Sequence, residues 1–148
     1  MNKVVVIGGG AAGLMAAITA AEKGAKVWLI EPNERLGKKI NITGKGRCNV
    51  TNDADLEGLM ANIPRNGRFL YSALSRFSSR DTMAFFFFFV VALKVERGNR
   101  VFPVSDSAFS ITDALKGLVK TRGVHWVHDR ATEVVVTDGT VTAVRGEK

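Results

Sequence analysis

The stretch Lys3–Glu31, KVVVIGGGAAGLMAAITAAEKGAKVWLIE, restricts the fold more than any other part of the chain. Val4 to Ile7 is a short apolar run of the kind found in a buried parallel strand. Gly8, Gly10 and Gly13 follow in the spacing G-x-G-x-x-G, and an Ala-rich helical segment runs on to Gly24, a fitting C′ residue. A second apolar run, Val27 to Ile30, ends on the acid Glu31. Strand, glycine turn, helix, strand and acid stand in the order of a dinucleotide-binding βαβ unit.

Each residue type has a physical reason. Gly8 permits a sharp strand-to-helix turn, and Gly10 lacks a Cβ that would keep a pyrophosphate from the backbone. Gly13 lets the helix press on the sheet, with small Ala17 one turn later. The first N–H groups of the helix have no intrahelical partner and sit at the positive end of its dipole. Glu31 at the tip of the second strand would accept ribose hydroxyls and repel a 2′-phosphate, which disfavours NADP here. The plain alternative is an ordinary βα turn, but the flanking strand, helix and acid supply the context that the glycine spacing needs.

At 148 residues the chain has the length of about one domain. Its composition, 46% hydrophobic and 24% charged, supports a packed core. The net charge of +7 raises nucleic acid as a partner, yet the RNP, zinc-finger and heptad patterns are absent. Lys38, Lys39, Lys45 and Arg47 instead cluster near the proposed phosphate site. Cys48 is the sole cysteine, which excludes a disulfide within the chain and fits a reducing, cytoplasmic setting. The N-terminus begins a strand and does not read as a signal peptide. No apolar run has the roughly 20 residues of a membrane-spanning helix.

After Glu31 a simple NAD domain would proceed to another helix and a third parallel strand. Here a basic glycine loop intervenes, and Thr43-Gly-Lys-Gly-Arg-Cys-Asn49 reads either as a second anion-binding surface or as a flexible basic surface loop. Residues 55–89 read as helical, with Asn66 as a cap. Phe69, Leu70, Ala73, Leu74 and Phe77 form a stripe better suited to a core than to cofactor contact. The run Phe85 to Phe89 has high β-propensity and no charge, an aggregation hazard if exposed. Leu93–Arg97 and Arg100–Val104 flank a two-residue hairpin signal, Gly98-Asn99. Arg97 and Arg100 read as a solvated tip rather than as anion ligands. Asp106 or Ser107 would cap a helix with the stripe Ile111, Ala114, Leu115, Leu118 and Val119, ended by Gly123. Val124 to Val127 is then the delayed third parallel strand. His125 and His128 lie beside it without the companions of a metal site. Asp138-Gly139 joins two further strands, 133–137 and 141–145.

The segments GKGRCNVTN, IPRNGRFLYSALSRF (63–77) and LKVERGNRVFPVSD (93–106) resemble the BaiN-like NAD(P)/FAD-dependent oxidoreductases, which include aminoacetone-oxidase-like proteins. The resemblance covers nearly the whole chain. It implies an α/β fold: a Rossmann-like FAD-binding βαβ unit with a helical insertion and a β-meander. The corresponding segments are 1–53 (βαβ and basic glycine loop), 54–106 (helical insertion and hairpin) and 107–148 (helix, third parallel strand and meander). It further implies that Gly8, Gly10, Ala12 and Gly13 cradle the pyrophosphate of FAD and that Glu31 holds the adenosine ribose. Lys39, Thr43, Gly44, Gly46, Arg47, Cys48 and Asn49 would line the FAD, and Ala131 would offer backbone contacts to adenine. NAD(P)H is a possible transient co-substrate, and a small organic molecule the substrate.

The phenylalanine run departs from the family pattern, in which acidic residues and a glycine follow the first two phenylalanines. An altered local sequence and a buried helix facing an absent partner both fit. The family continues past the point where this chain stops, so by resemblance the chain reads as a truncated N-terminal part. No Ser/His/Asp, Cys/His or paired-carboxylate arrangement marks another chemistry. A lone Cys48 reads as a loop thiol without a redox partner. The alternatives are a non-catalytic FAD- or dinucleotide-binding module and, less consistent with the basic loop, a simple NAD-dependent dehydrogenase.

Overall fold

The computed structural model describes residues 2–148 and divides into two compact units. The first unit comprises residues up to Ile40 together with Leu115–Lys148, and the second comprises Asn41–Ala114.

In the first unit, β1 (Lys3–Ile7), α1 (Ala11–Glu22) and β2 (Lys26–Ile30) form the βαβ unit read from the sequence. β1 and β2 are parallel, with Val4 opposite Val27 and Val6 opposite Leu29. β6 (His125–Val127) joins the other edge of β2, also parallel, so the strand order is β1-β2-β6. The delayed third strand is therefore present, beginning at His125. α1 lies on one face of β1 and β2 and buries Leu14, Ala17 and Ile18. Full burial of a leucine or isoleucine contributes about 1.5–3 kcal/mol each. The helices that lead into β2 and β6 end in the same way. Gly24 after α1 and Gly123 after α5 (Phe109–Thr121) have φ of 82° and 68°, which a Cβ would disfavour. Gly24 N–H donates to Ala21 O and Ala25 N–H to Ala20 O; Gly123 and Val124 repeat the pair with Lys120 and Val119. Both are Schellman caps, which satisfy the last helical carbonyls and turn the chain into the next strand.

Among the described residues, β7 (Ala131–Thr137) and β8 (Thr140–Gly146) pair only with each other in an antiparallel ribbon. Their two-residue turn is as read: Asp138 and Gly139 have φ of 50° and 75°. The expected meander is represented by these two strands among the described residues.

The second unit holds an antiparallel sheet in the order β3-β5-β4, from β3 (Thr51–Asn52), β4 (Leu93–Glu96) and β5 (Arg100–Pro103). The β4–β5 turn differs from the two-residue reading. Glu96 pairs with Arg100, so Arg97, Gly98 and Asn99 form a three-residue tip. β3 anchors that tip, with Asn52 Nδ2 donating to Gly98 O at 2.8 Å and Asp53 N–H to Asn99 O at 2.8 Å.

The helical reading of 55–89 resolves into three helices: α2 (Leu56–Ala61), α3 (Gly67–Arg76) and α4 (Ser79–Phe88). Pro64 interrupts the first junction, where its ring excludes an interior helical position. Ser78 closes the second with a capping box, accepting from Asp81 N–H while Asp81 accepts from Ser78 N–H. Asn66 occupies the N-cap position of α3, but in left-handed conformation and without a side-chain cap bond, contrary to its expected role. The α3 stripe is not core either. No residue of α3 is buried, and Phe69 is 86% exposed. Helical periodicity creates an apolar face but does not supply the surface that covers it.

Phe85 to Phe88 form the last turn of α4 and Phe89 is its C-cap, in keeping with the helical reading of this stretch. α4 packs on β3 and β4, Ser79 Oγ donates to Ala54 O, and Phe86 is buried. Successive helical residues point about 100° apart, so one contact face cannot hide all five rings. Phe87 and Phe88 remain 79% and 75% exposed. Replacing both (Phe87→Lys with Phe88→Glu) should shift the protein from aggregate to monomer in light scattering, with stability changed by no more than about 0.5 kcal/mol in urea unfolding. A large loss of stability would show that these rings are buried in solution.

Candidate functional site

The β1–α1 turn brings together the residues that the glycine spacing singles out. Gly8 has φ of 100°, and its N–H donates to Ile30 O at 2.8 Å. A Cβ on Gly13 would stand 1.8 Å from the Gly8 carbonyl oxygen, so only glycine lets α1 approach the turn this closely. Gly10 is the N-cap of α1 and makes no side-chain cap bond, and the first turn carries no acidic residue. A Cβ on Gly10 would meet nothing within 4 Å. The helix therefore presents its N–H groups and positive dipole end to open space, with exposed Ala12 in its first turn. This geometry fits the pyrophosphate of a dinucleotide.

Two residues that brace this turn, Gly9 within it and Asn33 after β2, escaped the sequence reading. Gly9 is buried, and a Cβ there would fall 2.5 Å from Leu36 Cδ2 and 3.0 Å from Glu31 Cβ. Its N–H donates to Glu31 Oε2 at 2.7 Å, and its carbonyl accepts from Gly37 N–H at 2.8 Å. Asn33 donates to Glu31 Oε1 through its backbone N–H at 2.8 Å and through Nδ2 at 2.5 Å. The triple glycine and an Asn two positions after the acid were the available signals. Glu31, 7% exposed, thus braces the glycine turn and has three of its roughly four acceptor directions occupied. Burial pushes its carboxyl up, but the bonds from Asn33 and Gly9, with the charge of Arg130, outweigh this and hold it below the ordinary value.

Of the remaining candidates in this unit, Lys39 is exposed and Ala131 opens β7, half-buried. His125 stacks on Trp28 at 5.8 Å between ring centroids, and His128 Nε2 lies 2.9 Å from Pro32 O.

In the second unit Thr43, Gly44, Gly46, Arg47, Cys48 and Asn49 lie on one tight turn. Gly44, Lys45, Gly46 and Cys48 all have positive φ, from 55° to 84°. Non-glycine residues there are disfavoured by about 1–2 kcal/mol each. The turn is closed by Cys48 N–H to Thr43 O at 3.1 Å, Arg47 N–H to Gly44 O at 3.2 Å and Ala108 N–H to Gly46 O at 2.9 Å. A Cβ on Gly44 would lie 2.8 Å from Asn49 N and 3.1 Å from Phe102 Cε1, so this glycine serves close packing. The Asn49 amide nitrogen, in the orientation that satisfies its neighbours, donates to Val101 O and Thr51 O. Cys48 is buried, and burial pushes its thiol up against a smaller opposing bond to Thr43. A thiol held protonated is a weak nucleophile.

Arg47 donates from Nε and Nη2 to Asp106 Oδ1 at 2.8 and 2.6 Å, and from Nη2 to Glu96. Lys94 Nζ lies 2.8 Å from Asp106 Oδ2 and 3.4 Å from Glu96 Oε1. Arg47 and then Lys94 hold Glu96 below the usual carboxylate range, and Lys94 and then Arg47 do so for Asp106. Of Asp106 and Ser107, the alternative caps for the following helix, Asp106 is committed here. Ser107 Oγ accepts from Phe109 N–H at the start of α5.

Glu31→Gln tests the brace. A carboxylate with a lowered folded-state value stabilises the protein above its unfolded-state value and ceases to do so as pH falls through the folded one. The variant should lose about 1–3 kcal/mol in urea unfolding at pH 7, with the gap to wild type closing towards pH 3. A gap independent of pH would contradict the ionised brace.

Comparison with known proteins adds the family. Residues 2–147 match the family model described as HI0933-like protein Rossmann domain. The chain is 40% identical over 119 residues to the 3-dehydro-bile acid delta(4,6)-reductase of Clostridium scindens, covering 78% of this chain and 28% of that protein. It is 40% identical over 77 residues to the ribosomal RNA dihydrouridine synthase of Escherichia coli K12, covering 52% of this chain and 19% of that one. It thus spans less than a third of the length of these relatives. Among solved structures, Thermovibrio ammonificans THI4 superposes with a TM-score of 0.59 at 18% identity, over 98% of this chain and 45% of that one, a likeness of fold. No helix among the described residues is long and apolar enough to cross a membrane. The chain belongs to the HI0933-like Rossmann-domain family, the BaiN-like FAD-dependent oxidoreductases.

Proposed function

We propose that this chain binds FAD through the β1–α1 turn and serves the NAD(P)H-linked reduction of a carbon–carbon double bond conjugated to a carbonyl. The observation that carries the cofactor reading is the uncapped start of α1, with Gly10 open in front of it and Gly13 against Gly8 O. Gly8, Gly10, Ala12 and Gly13 would hold the pyrophosphate. Glu31, kept ionised by Gly9 and Asn33, would accept a ribose hydroxyl in its remaining direction. Lys39 and Ala131, in the same unit, would add the contacts that the family resemblance implies there, and the resemblance separately assigns the backbone of Thr43 to Asn49 to the FAD. The flavin, when bound, supplies hydride transfer, while the protein supplies binding and orientation.

The substrate class comes from the relatives' names. One is named a 3-dehydro-bile acid delta(4,6)-reductase and the other a ribosomal RNA dihydrouridine synthase, and from the chemistry of those names we infer the reduction of a ring double bond conjugated to a carbonyl. The balanced reaction consumes NAD(P)H, a proton and the unsaturated carbonyl compound, and yields NAD(P)+ and the saturated compound. We take the substrate to be a small molecule.

Absorption spectra before and after adding FAD, followed by gel filtration, test the cofactor assignment. Wild type should retain flavin bands, and Gly10→Val should weaken FAD binding by about tenfold or more, because the valine side chain fills the phosphate approach. Unchanged binding by Gly10→Val would overturn the pyrophosphate assignment. Retained FAD without NAD(P)H-dependent reduction of an enone would make the chain a binding module.

A further inference from the structure

Family resemblance assigns Arg47 to the cofactor, and a cation beside a diphosphate is the natural role for it. Its surroundings point elsewhere. Two of its nitrogens are committed to Asp106 and Glu96, and Lys94 completes the cluster. Two cations meet two carboxylates, so the formal charges of these four groups cancel, while Arg100 lies 5.8 Å from the centroid of the Phe102 ring. The same ring covers the Arg47 guanidinium, with the central carbon 4.1 Å from its centroid. The Arg47 side chain sits inside a stretch of left-handed backbone. Lys45 and Cys48 flank it at φ of 58° and 60°, and its partner Asp106 has φ of 55°. Three non-glycine residues in the left-handed region persist only where their surroundings overdetermine them. The cluster supplies that constraint by tying the turn to β4 through Glu96 and Lys94 and to the segment before α5 through Asp106.

We propose that Arg47 is a positioning residue, which locks the left-handed turn 44–48 onto Glu96 and Asp106 instead of lending its charge to a cofactor phosphate. Its effect on cofactor binding, which rests on the FAD reading above, passes through the backbone of that turn. The distinction has a chemical handle. Lysine keeps the charge but not the planar, multidentate fork or the stacking on Phe102. Neutralising both carboxylates leaves the Arg47 charge intact and frees it.

The test compares Arg47→Lys, Arg47→Gln and the double variant Glu96→Gln with Asp106→Asn, in the full 148-residue chain. FAD is titrated by quenching of its fluorescence, the shape of the bound flavin bands is recorded, and tryptic cleavage after Lys45 is timed in the FAD-free chain. A positioning role predicts that all three variants weaken FAD binding by about tenfold, blur the flavin band structure and cleave several-fold faster after Lys45. Arg47→Lys at wild-type affinity, or the carboxylate double variant at equal or tighter affinity, overturns the proposal and makes Arg47 a direct phosphate partner. If wild type takes up no FAD, the FAD reading fails by itself, and the cleavage assay decides the positioning role. Unchanged cleavage overturns it, and accelerated cleavage sustains it.

Discussion

No side-chain carbon fits between Gly13 and the carbonyl oxygen of Gly8, and the rest of the first unit depends on that contact. Because α1 can press onto the turn, its apolar face reaches β1 and β2, and Leu14, Ala17 and Ile18 become buried. The same approach aims the free N–H groups of the helix out of the turn, beside Gly10. Gly9 then delivers its N–H to Glu31, so the acid that ends β2 is tied back to the turn that ends β1. Fold and candidate site share these few atoms.

The second unit reaches order by another route. Its turn 43–49 holds left-handed residues that a free chain would avoid, and backbone hydrogen bonds, the close packing of Gly44 and an ion cluster all meet there. Arg47, Lys94, Glu96 and Asp106 come from three separated segments, and Phe102 backs them. Surface ion pairs taken singly contribute little, but a shared cluster restricts several side chains together.

Local chemistry made much of the fold legible. The glycine spacing located the βαβ unit, Gly24 and Gly123 located two Schellman caps, and Asp138-Gly139 located the ribbon turn. These signals act over a few residues, through steric limits on φ and through unpaired backbone groups, so they survive without tertiary context. The readings that failed required knowledge of neighbours. The Phe69–Phe77 stripe has the period of a core helix, yet α3 buries none of its residues. Asn66 is a common cap type but lies in the left-handed region; of the alternative caps Asp106 and Ser107, cations take Asp106 and Ser107 makes the bond. The phenylalanine run, despite its strand-forming composition, lies in the stretch read as helical, and the capping box at Ser78 starts that helix.

The sequence by itself determined the strand–turn–helix–strand–acid unit, because sterics at Gly8 and Gly13 and the apolar runs around them leave few other conformations. It also marked the basic turn 43–49 and, by resemblance, the family. Only tertiary structure decided what the charged groups do there. Glu31 finds Gly9 from 22 residues away, and Arg47 finds Asp106 from 59. Such pairings are set by which segments the fold brings together. A guanidinium or a carboxylate reads the same in a sequence whether it faces a ligand or another side chain, and its partner fixes which role it plays.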